Sequence, residues 1–142
     1  MHVKIIKSKD VKLPRYQTVG SSGMDLHAYI SDPIWIYKNT VEAIPTGLYM
    51  EIPQGYEGQI RSRSGLALKG ISVANSPGTI DSDYRGEIKV LLKNSSPAYR
   101  IKPGDRIAQI VFAEVSKVIW DEVEELNGTD RDKGGMGSTG SS

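Results

Sequence analysis

The sequence predicts an all-β protein, a barrel or sandwich that carries one short helix. Two observations carry that expectation. Glycine and proline occur 15 and 7 times in 142 residues and punctuate almost every segment. The stretches between them are short and either alternating or apolar, the pattern of small strands joined by turns. In chain order they cover residues 3–6, 26–30, 34–37, 41–44, 47–52, 56–61, 71–74, 87–92, 98–101, 106–112 and 116–122. The stretch 106–112 is mostly apolar, as in a strand covered on both sides, so Gln109 within it needs a buried partner or a ligand. The one helical turn is Ser64-Gly-Leu-Ala-Leu-Lys69, stopped by Gly70.

At this length one domain with a real core is expected. The formal net charge is +1, so nothing in the overall balance calls for nucleic acid or for a cationic partner. Lacking any apolar run of about 18 residues and opening with the charged Met1-His-Val-Lys, the chain reads as a soluble, cytoplasmic protein without a membrane partner. There is no cysteine, which removes disulfides and thiolate chemistry together. His2 and His27 alone cannot form a His-rich zinc site, and no Gly-x-Ser-x-Gly elbow marks a serine nucleophile.

The chain divides by composition. Residues 1–122 hold the strands. Residues 123–130 are an acidic linker without strand pattern, and residues 131–142 are nearly all Gly, Ser and charge. That last segment is expected to be mobile without a ligand, because it has little apolar surface to offset its ordering entropy.

Five clusters carry candidate chemistry. The most informative is Asn75-Ser-Pro-Gly-Thr-Ile-Asp81-Ser-Asp-Tyr84-Arg-Gly-Glu-Ile88, expected at the tip of a β-hairpin between residues 71–74 and 88–92. There it would hold Asp81 and Tyr84 close together, a carboxylate and a flat ring suited to a sugar and a base. Asp83 is assigned to the turn. In Ser21-Ser-Gly-Met-Asp25, Asp25 taken alone reads more often as a turn or solvated acid. In Arg63-Ser64-Gly65, Ser64 alone reads as a helix N-cap, although amides at a helix start beside an arginine also form an anion site. Gly104-Asp-Arg106 after Pro103 reads as a hairpin turn. The terminal Arg131-Asp-Lys-Gly-Gly-Met-Gly-Ser-Thr-Gly140 resembles a phosphate-binding loop, with a flexible linker or an expression scar as the rival for residues 137–142.

Taken together and in this order, the clusters resemble the five motifs of the trimeric dUTPase family over residues 21–140. The resemblance implies a distorted β jelly roll, a homotrimer with sites at subunit boundaries, and Mg²⁺-assisted hydrolysis of dUTP to dUMP and pyrophosphate. Such a reaction keeps uracil out of DNA and supplies dUMP for thymidylate synthesis. By resemblance Asp81 is the catalytic base, holding the attacking water, and Asp25 meets Mg²⁺ through water. Arg63, Ser64, Gly65, Gln109, Arg131, Ser138 and Thr139 are implied for the phosphates. Asn75, Gly78, Ile80, Tyr84, Lys89, Gly135, Met136 and Gly137 complete the implied substrate contacts. Tyr84 would press on C2′ and exclude a ribose hydroxyl. Two positions depart from the family: Ser62 replaces a frequent proline, and Met136 replaces the usual aromatic that covers uracil. A dCTP deaminase, similar in fold, is the nearest rival. A nucleotide-sensing regulator is the other.

Overall fold

The structure, a computed structural model, describes residues 1–140. Its strands are β1 (Lys4–Lys7), β2 (Met24–His27), β3 (Ile34–Ile36), β4 (Val41–Pro45), β5 (Leu48–Glu51), β6 (Tyr56–Arg61), β7 (Ile71–Val73), β8 (Gly78–Ile80), β9 (Lys89–Asn94), β10 (Tyr99–Ile101) and β11 (Arg106–Glu114), with helix α1 (Ser64–Ala67) between β6 and β7. They form four small antiparallel sheets, ordered β2-β11-β6-β8, β4-β9-β7, β1-β5 and β10-β3. The expected all-β fold with one short helix is present.

Alternation explains the layers. Gly58 and Ile60 of β6, Leu48 and Met50 of β5, and Val90 and Leu92 of β9 turn inward, while their sequence neighbours stay partly or fully exposed. On β11 the rhythm breaks, because a bulge between Arg106 and Ala108 lets both Ile107 and Ala108 face the core. Each fully buried Ile or Leu contributes about 1.5–3 kcal/mol through removal from water. Helix α1 buries only Leu66 and ends where Gly70, at φ +86°, takes the left-handed conformation that stops the turn.

Three expectations need correction. Strands β7 and β9 do pair, Val73 opposite Leu92, but the segment between them is no simple hairpin tip. It contains β8, which leaves for the other sheet and pairs with β6. Three residues are too few for periodicity to reveal, and Gly78 hid them among turn residues. The turn at Gly104 likewise joins strands of different sheets: β10 lies against β3 and β11 against β2 and β6. Residues 116–122 form no strand; Val118, Ile119 and Trp120 are exposed, with no partner strand among the described residues.

A buried polar residue, Asn94, closes one corner of the barrel. Its Nδ2 donates to the carbonyls of Ile36 (2.8 Å) and Pro97 (2.9 Å), and its Oδ1 accepts from the Ser96 amide at 2.9 Å. The side chain thus ties β9 to β3 and to the turn before β10. Replacing Asn94 by the similarly branched but bulkier Leu removes all three bonds and leaves three backbone groups unpaired, each costing about 1–3 kcal/mol. Asn94→Leu is expected to destabilise the protein by at least about 3 kcal/mol, measured as a lowered denaturant midpoint with the slope unchanged.

Candidate active site

Two clusters of the sequence-predicted residues form, at opposite ends of β6. The first gathers around Asp25 on β2. Its Oδ1 accepts a 3.0 Å bond from Nε of Arg63, and its Oδ2 lies 3.6 Å from Nη1 of Arg106. Gln109 lies opposite both Asp25 and Arg61 in the sheet, so β11 delivers it to the same place. There its Nε2 donates to the Ser62 carbonyl at 3.1 Å, which answers the demand for a partner and leaves the second N–H of the amide for a ligand. Gly23 admits this packing: a Cβ there would stand 2.6 Å from Oε1 of Gln109.

Ser64 and Gly65 open α1 beside this cluster, both exposed. Arg63, not Ser64, is the N-cap, and no side chain caps the helix. The N-cap reading of Ser64 is therefore corrected; its hydroxyl is free of that task. No atom would approach a Cβ on Gly65 within 4 Å, so the turn is open to a ligand. Ser62, the departure from the family pattern, has a use of its own. Its Oγ accepts the Val73 amide at 2.9 Å, tying the turn to β7 as a proline could not. Among the described residues no three His, Cys, Asp or Glu side chains gather as a metal cage. A hard carboxylate already shared by two guanidinium groups fits a Mg²⁺ held mainly by phosphate oxygens and water, with Asp25 beyond the first layer of ligands.

The second cluster follows β8. Ile80 pairs with Gly58, so Asp81 emerges beside Glu57 and lines a cavity of about 780 Å³ with Tyr56, Ser82 and Arg85. The Tyr84 amide bonds the Asp81 carbonyl (3.1 Å), closing the turn that holds both side chains. The Tyr84 hydroxyl donates to the Glu87 carbonyl at 2.9 Å. Asn75 lies against Gly78, where a Cβ would stand 3.4 Å from its Nδ2. Ile80 points into the core, which leaves its backbone to face a ligand. Lys89 opens β9 and is exposed.

These clusters do not meet within one chain. Glu57, beside Asp81, and Arg63 are six residues apart along β6 and its extension, roughly 20 Å at strand rise. The terminal segment joins neither. Its recorded hydrogen bonds are local turns, such as Gly134 amide to Arg131 carbonyl (2.9 Å) and Arg131 Nε to Gly134 carbonyl (2.7 Å). Gly135, Gly137, Ser138 and Thr139 are exposed, and Met136 projects fully into solvent. Ser141 and Ser142, the end of the expected lid, lie outside the described residues.

Residues 9–140 match the dUTPase family. The chain belongs to that family. A deoxyuridine 5'-triphosphate nucleotidohydrolase of Wolbachia sp. subsp. Brugia malayi is 55% identical over 141 residues, covering 96% of this chain and 90% of the relative. One of Fusobacterium nucleatum is 49% identical over 142 residues, covering 99% and 97%. In fold, the chain resembles a mutant Staphylococcus bacteriophage 80alpha dUTPase solved with dUpNHpp, with a TM-score of 0.88, 23% identity and 99% coverage of both chains. A dUTPase mutant of phage phi11 of S. aureus, described for the coordination of a structural Mg(II) ion, gives a TM-score of 0.78 at 21% identity, covering 88% and 98%. The barrel of this dUTPase is accordingly the distorted jelly roll. Among the described residues no helix is long and apolar enough to cross a membrane.

His27, two residues from Asp25, lines a cavity of about 510 Å³ with it. Desolvation of the imidazole lowers its pKa; Asp25 opposes this, and Arg106, Arg63 and Lys12 add to the lowering. The unfolded chain, with a histidine pKa near 6.5, therefore takes up protons first as pH falls. Stability due to neutral His27 is full above about 6.5 and is lost as pH drops through the lower folded value. Denaturant midpoints at pH 7.5 and 5.5 are expected to differ less in His27→Gln than in the wild type.

Proposed function

We propose that this dUTPase hydrolyses dUTP to dUMP and pyrophosphate at sites shared between the subunits of a homotrimer. The family and its relatives, named for this reaction, support the chemistry. One observation carries the shared site. The Asp25–Arg63–Gln109 cluster and the Asp81–Tyr84 turn stand at opposite ends of β6, too far apart to grip one α-phosphate. A second copy that sets its turn against the first copy's cluster completes the site, and cyclic symmetry then makes three of them.

The chemistry needs little covalent work from the protein: it must position water, neutralise charge and supply a base. Asp81, a carboxylate facing an open cavity, holds the water and accepts its proton as oxygen attacks the α-phosphorus in line with the departing pyrophosphate. Tyr84 lies against C2′ of the sugar, and its flat ring leaves no space for a ribose hydroxyl. Asn75, with backbone groups at Gly78 and Ile80, reads the uracil edge, which offers an N3–H between two carbonyls.

Arg63 turns Nε toward Asp25 and Nη1 toward the Arg106 carbonyl (3.4 Å), which leaves Nη2 of its guanidinium fork for phosphate oxygens. Ser64, the Gly65 amide and the free N–H of Gln109 add donors on the same side, and Lys89 adds positive charge. Mg²⁺ would sit among phosphate oxygens and water, linked to Asp25 through a water, and would neutralise charge building on the triphosphate. The segment 131–142 closes over the bound nucleotide. Arg131, Ser138, Thr139 and the amides of Gly135 and Gly137 cover the phosphates, and Met136 covers the base with a flexible thioether in place of a ring.

Asp81→Asn is expected to keep fold and dUTP binding while turnover falls about 10²–10⁴-fold, followed as pyrophosphate release across dUTP, UTP, dCTP and dTTP. Near-normal turnover removes Asp81 as the base, and ammonia release from dCTP would identify a deaminase instead. Unfolding Asp81→Asn together with Gln109→Ala and refolding the mixture tests the shared site. Mixed assemblies should regain activity that neither variant has alone, whereas sites complete within one chain would regain none.

Truncation before Arg131 is expected to leave the assembly folded, since the segment's recorded hydrogen bonds are local, and to abolish nearly all turnover. Retained turnover in the truncated protein would show that closure is not needed.

A further inference from the structure

The turn that carries Tyr84 contains a second, unassigned determinant. Gly86 has no left-handed backbone requirement, since its φ lies outside the positive range that demands glycine, and it is only half-buried. Its lack of a side chain has another use. A Cβ on Gly86 would lie 2.6 Å from Cζ and 3.0 Å from Cε1 of Tyr84, and closer still to the hydroxyl. All three nearest atoms belong to the Tyr84 ring; no core atom and no backbone atom is among them.

We propose that Gly86 is a specificity-determining positioning residue: the space left by its missing side chain is where the Tyr84 ring folds down beside the nucleotide sugar. The inference rests on the steric role given to Tyr84 above. The rest of the turn is already fixed. The Tyr84 amide bonds the Asp81 carbonyl, and Arg85 Nη1 donates to the carbonyls of Ser82 (2.7 Å) and Tyr84 (3.2 Å). Arg85 Nη2 also reaches Glu51 Oε1 on β5 at 3.4 Å. With the backbone held by the bonds of the Tyr84 amide and of Arg85 to its carbonyls, what yields to a new methyl group is the side chain of Tyr84. The ring swings away, its bond to the Glu87 carbonyl breaks, and the wall against a 2′-hydroxyl is lost. Asp81, anchored through the strand register of β8, stays in place. Gly86 thus acts on sugar selection and leaves the base catalyst alone.

The test compares Gly86→Ala, Tyr84→Ile and the double variant by kcat/KM for dUTP and for UTP, with thermal melting as a check on folding. Gly86→Ala is expected to narrow the dUTP/UTP ratio roughly 10-fold, the size typical of one misfitted group in a pocket. The melting temperature and kcat for dUTP should change little. Because both substitutions act through one ring, the double variant should match Tyr84→Ile alone rather than sum with it. An unchanged ratio in folded Gly86→Ala overturns the inference, as does full additivity. If Tyr84→Ile narrows the ratio and Gly86→Ala does not, Gly86 alone is wrongly assigned and the proposed reading of the site survives. If Tyr84→Ile leaves the ratio unchanged, the steric role of the ring fails, and that of Gly86 with it. Should Gly86→Ala fold poorly, recovery of folding in the double variant supports the contact, and no recovery overturns it.

Discussion

The length of β6 is the constraint on which the site depends. This six-residue strand lies between β11 and β8, and its inward residues Gly58 and Ile60 are locked into the core. A Cβ on Gly58 would press within 3.3 Å of Ile110, Ile52 and Ile80 at once, and a one-residue slip would turn Gly58 and Ile60 out of the core. That fit sets two things independently. Pairing with β11 carries Gln109 to the Ser62 end, and pairing with β8 carries Asp81 to the Tyr56 end. The strand works as a spacer that holds the Gln109 and Asp81 groups at its opposite ends.

Electrostatics at the Asp25 end follow from the same geometry. Asp25 is half-buried between two arginines, and in this environment their attraction is stronger than an exposed pair would give. The carboxylate orients Arg63, and with two arginines against one acid the cluster keeps an excess of positive charge. By contrast, the Lys4–Glu51–Arg85 contacts at the other end are largely exposed. Ion pairing there contributes little, and the bonds from Arg85 to backbone carbonyls are what shape the turn.

Much of this was legible in the sequence, and the failures have definite causes. Alternation located β6 without error, because Tyr56–Arg61 keeps a strict inward–outward rhythm. Gln109 stands out in the sequence, since an amide inside an apolar strand must find a partner, and it finds one in the Ser62 carbonyl. The strand β8 escaped because Gly78-Thr-Ile carries only one strongly apolar residue. Residues 116–122 have strand composition, yet composition cannot say whether a partner exists in the same chain. Nothing in the sequence singles out Asn94, and only tertiary structure shows the three backbone groups it serves. The roles of Ser62 and Gly86 depend on distances to residues elsewhere in the fold or to a neighbouring ring, which no spacing rule encodes. For the candidate site, the motifs are visible in the sequence and the resemblance implies sites at subunit boundaries, but which residues fall at which end of β6 follows only from the strand register.

The exposed run Val118-Ile119-Trp120 has a thermodynamic consequence. Its side chains are 69%, 97% and 88% accessible in the single chain, an apolar surface that a partner subunit would remove from water. If assembly supplies that burial, folding and association become linked equilibria, and resistance to heat is no longer a property of the chain alone. It becomes a function of concentration: dilution would lower the melting point of a protein whose covalent structure has not changed. Nucleotide bound across the subunit boundary would act in the opposite direction, since it draws on the same equilibrium.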